Sequence, residues 1–374
     1  MEIIEVKTLH DRREFVDLPF EIYKNNKFWI PQLKGGEMQI LDPVKNPYRR
    51  SADSKFWIVK KDGKVLGRIG AIIPFSYNEK TGENYGRITR PEFFDDNEVV
   101  DLLFKTAEDW IFSQGMSGIT GPLGFANIDT QALLVEGFDQ EPSVASVYHL
   151  PYYQTHFERL GYEKLIDWVE FNLYLEKEIP EKAARLASIV TERYNLRIVQ
   201  MKNKKQMRAY GKQIFQLLNL SFNDLFSFVP FDDEQIDYIL DSYIPVINPE
   251  FVHLVFNEKD EIVGFIIPVP SLTKTMRIAN GKLNLRALIS LIRSRKRNDV
   301  LDLFLTGVHP DYQSKGVASL LITEAYKRAI ARKIYTVDTT GMIETNQKAI
   351  QNWKSFNHEM NKRKRCYVKL KVEN

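Results

Sequence analysis

The stretch HPDYQSKGVASLLI, His309 to Ile322, joins a proline turn to a polar loop and then to an apolar helix start. From Gly316 onward Val317, Leu320, Leu321, Ala325 and Ala329 recur at helical spacing and predict one buried stripe. A helix N-terminus offers unpaired N–H groups and about half a positive charge, so a loop entering it is suited to hold a phosphate. Gly316 permits close approach there, Ala318 leaves space over the first turn, and Gln313 and Lys315 can add side-chain donors. The preceding run VLDLFLTGV, Val300 to Val308, is apolar enough for a central strand and is expected to break at Gly307. Asp302 on that strand and Asp338 in the next, YTVDTT, are the candidate general bases, and Tyr312 is a candidate acid beside Tyr326 and Tyr335. His309, before the loop proline, reads as structural. No histidine pair or carboxylate cluster has metal-ligand spacing, so no metal is expected.

The pattern V-x-P-x-x-Q-x-x-G-x-A, Val308 to Ala318, resembles the acetyl-CoA signature of the GNAT superfamily of N-acetyltransferases. ETNQKAIQNWKSF supplies the second half of that signature as Asn346, Ala349 and Trp353. The resemblance implies acetyl-CoA or another acyl-CoA as co-substrate. The backbone of Leu305, Gly307 and Val308, with Asn346, would hold the pantetheine arm. Gln313, Ser314, Lys315, Gly316, Val317 and Ala318 would hold the pyrophosphate. A primary amine, on a small molecule or a peptide, would then attack the thioester directly. Many members carry a tyrosine four residues after the alanine to protonate the leaving sulfur, where this sequence has Trp353. A thiol with a pKa near ~8.5 leaves as thiolate without such an acid.

The elements around this loop occur twice. IIEVKTLHDRREFVDLPFEIY and LRIVQMKNKKQMRAYGKQIFQLL each read as strand then helix, FWIVKKDGKVLGRIGAIIP and VHLVFNEKDEIVGFIIPVP as hairpins, and HFERLGYEKLIDW and WKSFNHEMNKRKR as helix ends leading to a last strand. Val6 matches Val199, Pro74 matches Pro268 and Gly161 matches Asn357 at a nearly constant offset. The expected fold is α/β (α+β): two tandem GNAT-like domains, 1–178 and 179–374, each a mixed, mostly antiparallel sheet flanked by helices. The chain also resembles a family of uncharacterised tandem GNAT-like bacterial proteins. In the first copy RPEFFDDNEVV stands where the loop should be, with Phe94 for Gln313, Asn97 for Gly316, and Asp95, Asp96 and Glu98 nearby. Carboxylates cap a helix well but repel a pyrophosphate, so this copy is expected to bind no CoA.

Each copy has its own insertion. The first, about 121–143, is GPLGFANIDTQALLVEGFDQEPS, longer than a plain connection, and with the following HLPYYQ it offers Asn127, Asp129, Glu136, Asp139, Tyr152 and Tyr153 as candidates to line an acceptor cleft. The second, about 276–298, contains LNLRALISLIRSRKR, whose Leu285, Leu288, Ile289 and Ile292 are expected to dock on the core, with an interfacial membrane helix as the other reading. The basic runs RSRKR and NKRKR, Arg293 to Arg297 and Asn361 to Arg365, are expected to be solvated faces.

Composition sets the class. With 374 residues, 44% apolar, 12% aromatic, 27% charged and a formal charge of +3, the chain reads as a fully folded globular protein, and nucleic acid is not an expected partner. Its single cysteine, Cys366, excludes an intramolecular disulfide, and neither the polar start nor any apolar run marks a signal peptide or transmembrane span. A cytoplasmic monomer or homodimer is expected. Two other functions fit the doubled fold: an aminoacyl ligase of the tandem GNAT-like type using transfer RNA, and a non-catalytic acyl-CoA-binding or scaffold protein.

Overall fold

The computed structural model describes residues 1–353 and 356–372; Lys354 and Ser355, within the expected helix end WKSF, lie outside the described residues. The chain forms two compact units, the first of residues 1–169, 276–284 and 362–374 and the second of residues 170–275 and 285–361.

The first unit opens with β1 (Glu2–Glu5) and α1 (Leu9–Ile22), started by a reciprocal capping box between Thr8 and Asp11. α2 (Lys34–Ile40) precedes the hairpin β2 (Asp53–Lys61) and β3 (Lys64–Ile73). Asp62 and Gly63, at φ 50° and 75°, form the two-residue turn that their sequence predicts. Then follow α3 (Phe75–Thr81), β4 (Tyr85–Phe93), α4 (Asn97–Ser113), β5 (Gly118–Gly121), β6 (Leu133–Glu136), α5 (Tyr152–Arg159) and β7 (Glu163–Tyr174), which runs on into the second unit. One side of α4 packs on β3: Val100, Leu103 and Ala107 are fully buried with Val59, Ile69 and Ile88, and Trp110 lies at the edge of this core.

The second unit continues with α6 (Glu181–Arg193), β8 (Arg197–Gln200), α7 (Lys204–Ser221), α8 (Asp233–Tyr243), β9 (His253–Phe256), β10 (Ile262–Pro270), α9 (Thr273–Ala279), α10 (Leu285–Lys296) and β11 (Val300–Val308). After it come α11 (Val317–Ala331), β12 (Thr336–Thr339), β13 (Met342–Ile343), α12 (Gln347–Gln351) and β14 (Asn357–Leu370), whose later residues belong to the first unit. All five residues of the predicted α11 stripe are buried, and the helix packs on β9, β10 and β11.

The two units repeat one topology. Strand order β1-β2-β3-β4-β5 in the first matches β8-β9-β10-β11-β12 in the second, antiparallel throughout except for the parallel pairs β4/β5 and β11/β12. The sixth position is filled by β14 in the first unit, where Tyr367 faces Gly121, and by β7 in the second, where Tyr174 faces Thr336. The units therefore differ from consecutive halves in these end strands.

Three sequence expectations need correction. β11 does not break at Gly307. Its irregularity is one extra residue, Phe304, since Leu305 faces Ile267 while Leu303 faces Pro268. Gly307 is required because a Cβ there would lie 2.4 Å from the Phe265 ring. The run NKRKR is no solvated face: it lies within β14, Lys362 and Lys364 are buried, and Arg365 pairs with the buried Asp167 at 2.8 Å. Finally, Leu285, Leu288, Ile289 and Ile292 do not dock on the core but are 73, 44, 41 and 57% exposed. The small Ala287 is the one buried residue of α10, and Ser290 Oγ lies 3.0 Å from Thr275 Oγ1.

Candidate functional site

In the second unit β11 and β12 are paired from Val300–Thr336 to Leu303–Thr339 and no further, while β11 continues to Val308 along β10. The edge of β11 away from β10, between Leu305 and Val308, thus has no strand partner among the described residues. A wedge of this kind accepts an extended chain as an added strand. The bulge at Phe304 sits where the wedge begins, which fits the tendency of bulges to end pairing next to functional sites.

The wedge leads into the loop. Residues Pro310–Lys315 make a short 3-10 turn, Gly316 takes φ 81°, and α11 starts at Val317 with no side-chain cap and no acidic residue in its first turn. Its first N–H groups are left to an anion. Lys315 Nζ lies 4.5 Å from the Tyr312 ring centre and 5.4 Å from that of Tyr194, so a cation is held beside this turn. Gln313 and Ser314 are exposed, and Ser221 Oγ donates to Val308 O at 3.0 Å. Gly316 approaches α6 closely: a Cβ there would lie 2.8 Å from Val190 Cγ2.

The remaining residues named from the sequence are placed as follows. The Asn346 side chain caps α12 by accepting from Ala349 N at 3.2 Å. Trp353 is buried and its indole N–H donates to Met342 Sδ at 3.1 Å, so no hydroxyl stands where many members place an acid. Asp302 and Asp338 are buried, 1 and 5% exposed, and face each other across the β11/β12 pair one step before the wedge opens. Tyr312 packs edge-on against His309. Among the described residues no group of three His, Cys, Asp or Glu side chains is placed to hold a metal.

In the first unit β4 and β5 part in the same way, after Arg87–Thr120, but this wedge is filled by the chain itself. Leu123 N donates to Ile88 O at 2.9 Å, Tyr152 Oη donates to Phe93 O at 2.6 Å, and Tyr153 Oη accepts from Phe93 N at 3.0 Å. Asp96 caps α4 by accepting from Glu98 N and Val99 N, and Asp95 pairs with His156 at 2.8 Å. A pyrophosphate would meet carboxylates here instead of free N–H groups.

What the first unit does hold is a buried polar cluster that sequence reading missed. Arg90 binds Glu37 at 2.8 Å and Asp129 at 2.6 Å, while Glu92 faces Arg68 across β3/β4 and accepts from Tyr23 and Tyr153 at 2.6 and 2.7 Å. Burial pushes the Glu92 carboxyl above its ordinary range against the pull of Arg68. Burial also opposes the charge of Glu37, but Arg90 outweighs it and holds that carboxyl low. His149 is pushed down to about 3 by burial, with Lys364 and Arg68 adding to the effect. Glu37, Arg68, Arg90, Glu92 and His149 line a pocket with Phe20, Trp29, Ile30, Pro91 and Tyr148. Of the six acceptor candidates, Asp129 and Tyr153 reach this cluster through Arg90 and Glu92. Tyr152 is spent on Phe93, Glu136 pairs with Arg363, Asp139 is exposed and Asn127 is half-buried in the insertion. Glu37, Arg68 and Glu92 lie far apart in sequence, and only the pairing of β3 with β4 brings the last two together.

Residues 211–357, which contain the wedge, the uncapped α11 and α12, match the acetyltransferase (GNAT) family. This segment is a GNAT domain. Protein YghO of Escherichia coli (strain K12) is 27% identical, with 96% of this chain and 93% of that protein aligned. A bacterial ceramide synthase of Caulobacter vibrioides (strain NA1000 / CB15N) is 26% identical over 76% of this chain and 73% of its own. A tandem GNAT protein from the clavulanic acid biosynthesis pathway shares the fold, with a TM-score of 0.56 over 100% of both chains at 10% identity. The chain thus has a tandem GNAT-like fold, and the family match falls mainly in its second unit, at residues 211–357.

Proposed function

We propose that this protein is an acyl-CoA-dependent N-acyltransferase whose GNAT domain holds the donor, acetyl-CoA or another acyl-CoA, and whose acceptor is a primary amine. The observation that carries the reading is the uncapped N-terminus of α11 at the mouth of the β11/β12 wedge, beside Lys315. The wedge edge at Leu305, Gly307 and Val308 would take the pantetheine arm. Gln313, Ser314, Lys315, Gly316, Val317 and Ala318 would surround the pyrophosphate. The amine nitrogen then attacks the thioester carbonyl, the C–N bond forms, the C–S bond breaks and CoA leaves as thiolate. Its surplus proton needs an acceptor, for which Asp302 and Asp338, at the narrow end of the wedge, are the candidates, with Tyr312 as the nearby hydroxyl. The 26% identical relative's name, a ceramide synthase, supports an amine carried on a lipid-like acceptor, since ceramide is an amide. We place the activity in the cytoplasm, in a monomer or homodimer.

Calorimetric titration of acetyl-CoA and of a long-chain acyl-CoA into the wild type and Gly316→Asp tests the donor site. The expected result is one site per chain, weakened at least about tenfold in the variant, because a carboxylate would sit at the cradle. Equal binding by the variant, or two sites per chain, would refute it. Trp353 in place of a tyrosine favours a second reading, a protein that binds acyl-CoA without transfer. Binding without turnover on a panel of amines, sphingoid bases included, would select that reading.

A further inference from the structure

α10 is built inside out. At about 100° per residue, Leu285, Leu288, Ile289 and Ile292 share one side of the helix within an arc of about 100°. In an ordinary surface helix that side faces the core. Here these four are exposed, while the opposite side turns Ala287 inward and sets Ser290 against Thr275. An apolar stripe of a whole helix, facing water, calls for an occupant.

The charges beside the stripe say which. Arg286 and Arg293 flank it on one side, about 80–100° from Leu285, and both are exposed. Exposed Lys296 continues the stripe at its C-terminal end, followed by Arg297, and no carboxylate occurs between Leu285 and Asn298. Arg295, on the other flank, donates to Pro245 O and so ties the helix to its own unit. Apolar residues in the middle, cations on the flank and no anion describe a helix that lies in the plane of an anionic lipid surface, its arginines among the phosphates. A protein partner would require an acidic, apolar groove, a more particular surface than any membrane with anionic lipid. At 12 residues α10 is far shorter than the ~20 needed to cross a bilayer, and among the described residues no helix is long and apolar enough to do so.

We propose that α10 docks the protein on anionic membranes, with Leu285, Leu288, Ile289 and Ile292 at the headgroup boundary and Arg286, Arg293, Lys296 and Arg297 on lipid phosphates. This is independent of the acyl-transfer reading and needs no turnover to test.

The experiment is co-sedimentation of the full chain with phosphatidylcholine vesicles containing about a third phosphatidylglycerol, and with phosphatidylcholine alone, at near-physiological salt. The wild type is expected on the anionic vesicles. Leu288→Asp with Ile292→Asp, and separately Arg286→Glu with Arg293→Glu, should each lower the partition coefficient about tenfold or more. All four side chains are exposed, so the folded state tolerates the changes, and unaltered thermal unfolding confirms it. Leu220→Asp, at another exposed leucine, is the control and should bind as the wild type does. Equal sedimentation with neutral vesicles, full binding by either double variant, or equal loss in the control would overturn the proposal. So would a wild-type dimer that Leu288→Asp with Ile292→Asp converts to monomer, which would make the face a contact between copies of this chain.

Discussion

Tyr152 and Phe93 meet where a CoA arm would run in an active copy: the tyrosine hydroxyl donates to the Phe93 carbonyl at 2.6 Å. Phe93 ends β4 as Val308 ends β11, and Tyr153 satisfies the N–H of the same residue at 3.0 Å. The first copy thus closes its wedge with two adjacent tyrosines. Tyr153 is fully buried, its ring stacked on Phe93 at 4.4 Å, and its hydroxyl also donates to Glu92.

Tyr153→Phe removes that hydroxyl and keeps the ring, leaving the Phe93 N–H and one lone pair of Glu92 unpaired. The expected cost is about 1–3 kcal/mol in urea unfolding, from stranding buried polar groups. Acyl-CoA stoichiometry should stay at one site per chain, because Asp96 still caps α4. A second CoA site in this variant would mean that the tyrosine alone, and not the capped helix, silences the first copy.

Much of this was legible in local sequence. The α11 stripe, the Asp62-Gly63 hairpin and the acidic cap of α4 follow from periodicity and turn chemistry, which act within a few residues. Two kinds of feature were not. The bulge at Phe304 and the need for Gly307 depend on what faces the strand, here Pro268 and Phe265. The outward turn of α10 was misread because periodicity reports that a helix has an apolar side, not which way the side looks. In the buried cluster around Arg90 only Asp129 was a candidate, and its partners Glu37, Arg68, Arg90 and Glu92 were invisible for a related reason: burial of charges is decided by tertiary pairing, and each residue alone resembles a solvated one.

That cluster gives a direct test of what Asp129 does. It accepts from Arg90 Nη2 at 2.6 Å and from Phe125 N at 3.0 Å, and Gly124 packs so closely that a Cβ there would lie 2.3 Å from its carboxylate. Asp129→Ala takes one of two carboxylates from a buried guanidinium, leaving it Glu37 and the Thr89 hydroxyl, and should cost about 3–5 kcal/mol of stability. The variant's affinity for acyl-CoA should be unchanged. If instead stability holds and only turnover falls, Asp129 works on the acceptor and not on the insertion's fold.

Cys366 offers a reporter of the first unit. It is fully buried on β14, and burial pushes its thiol up to about 12, against smaller opposing effects from the Gly121 backbone and Arg87. The thiolate is the reactive form, so an aromatic disulfide reagent at neutral pH should label the native protein only as fast as it opens. Labelling should become immediate in denaturant. Rapid stoichiometric labelling of the native chain would show that β14 leaves its sheet readily.

His149 sets an acid limit on stability. Its Nδ1 accepts from Leu134 N at 3.3 Å, a bond that fixes the neutral ring, and burial lowers its pKa from 6.5 to about 3. Between those values the unfolded chain takes up a proton that the native state refuses. Stability therefore falls as pH drops below about 6.5, by up to about 1.4 kcal/mol per unit, and the loss ends near the folded pKa. His253, also lowered by burial, adds to the wild-type slope, so the comparison must be with a variant. In His149→Gln, which can still accept from Leu134, urea midpoints between pH 6.5 and 5 should slope less steeply than those of the wild type. Parallel slopes would mean that the ring is protonated in the folded protein, and that the pocket it shares with Glu92 admits a cation.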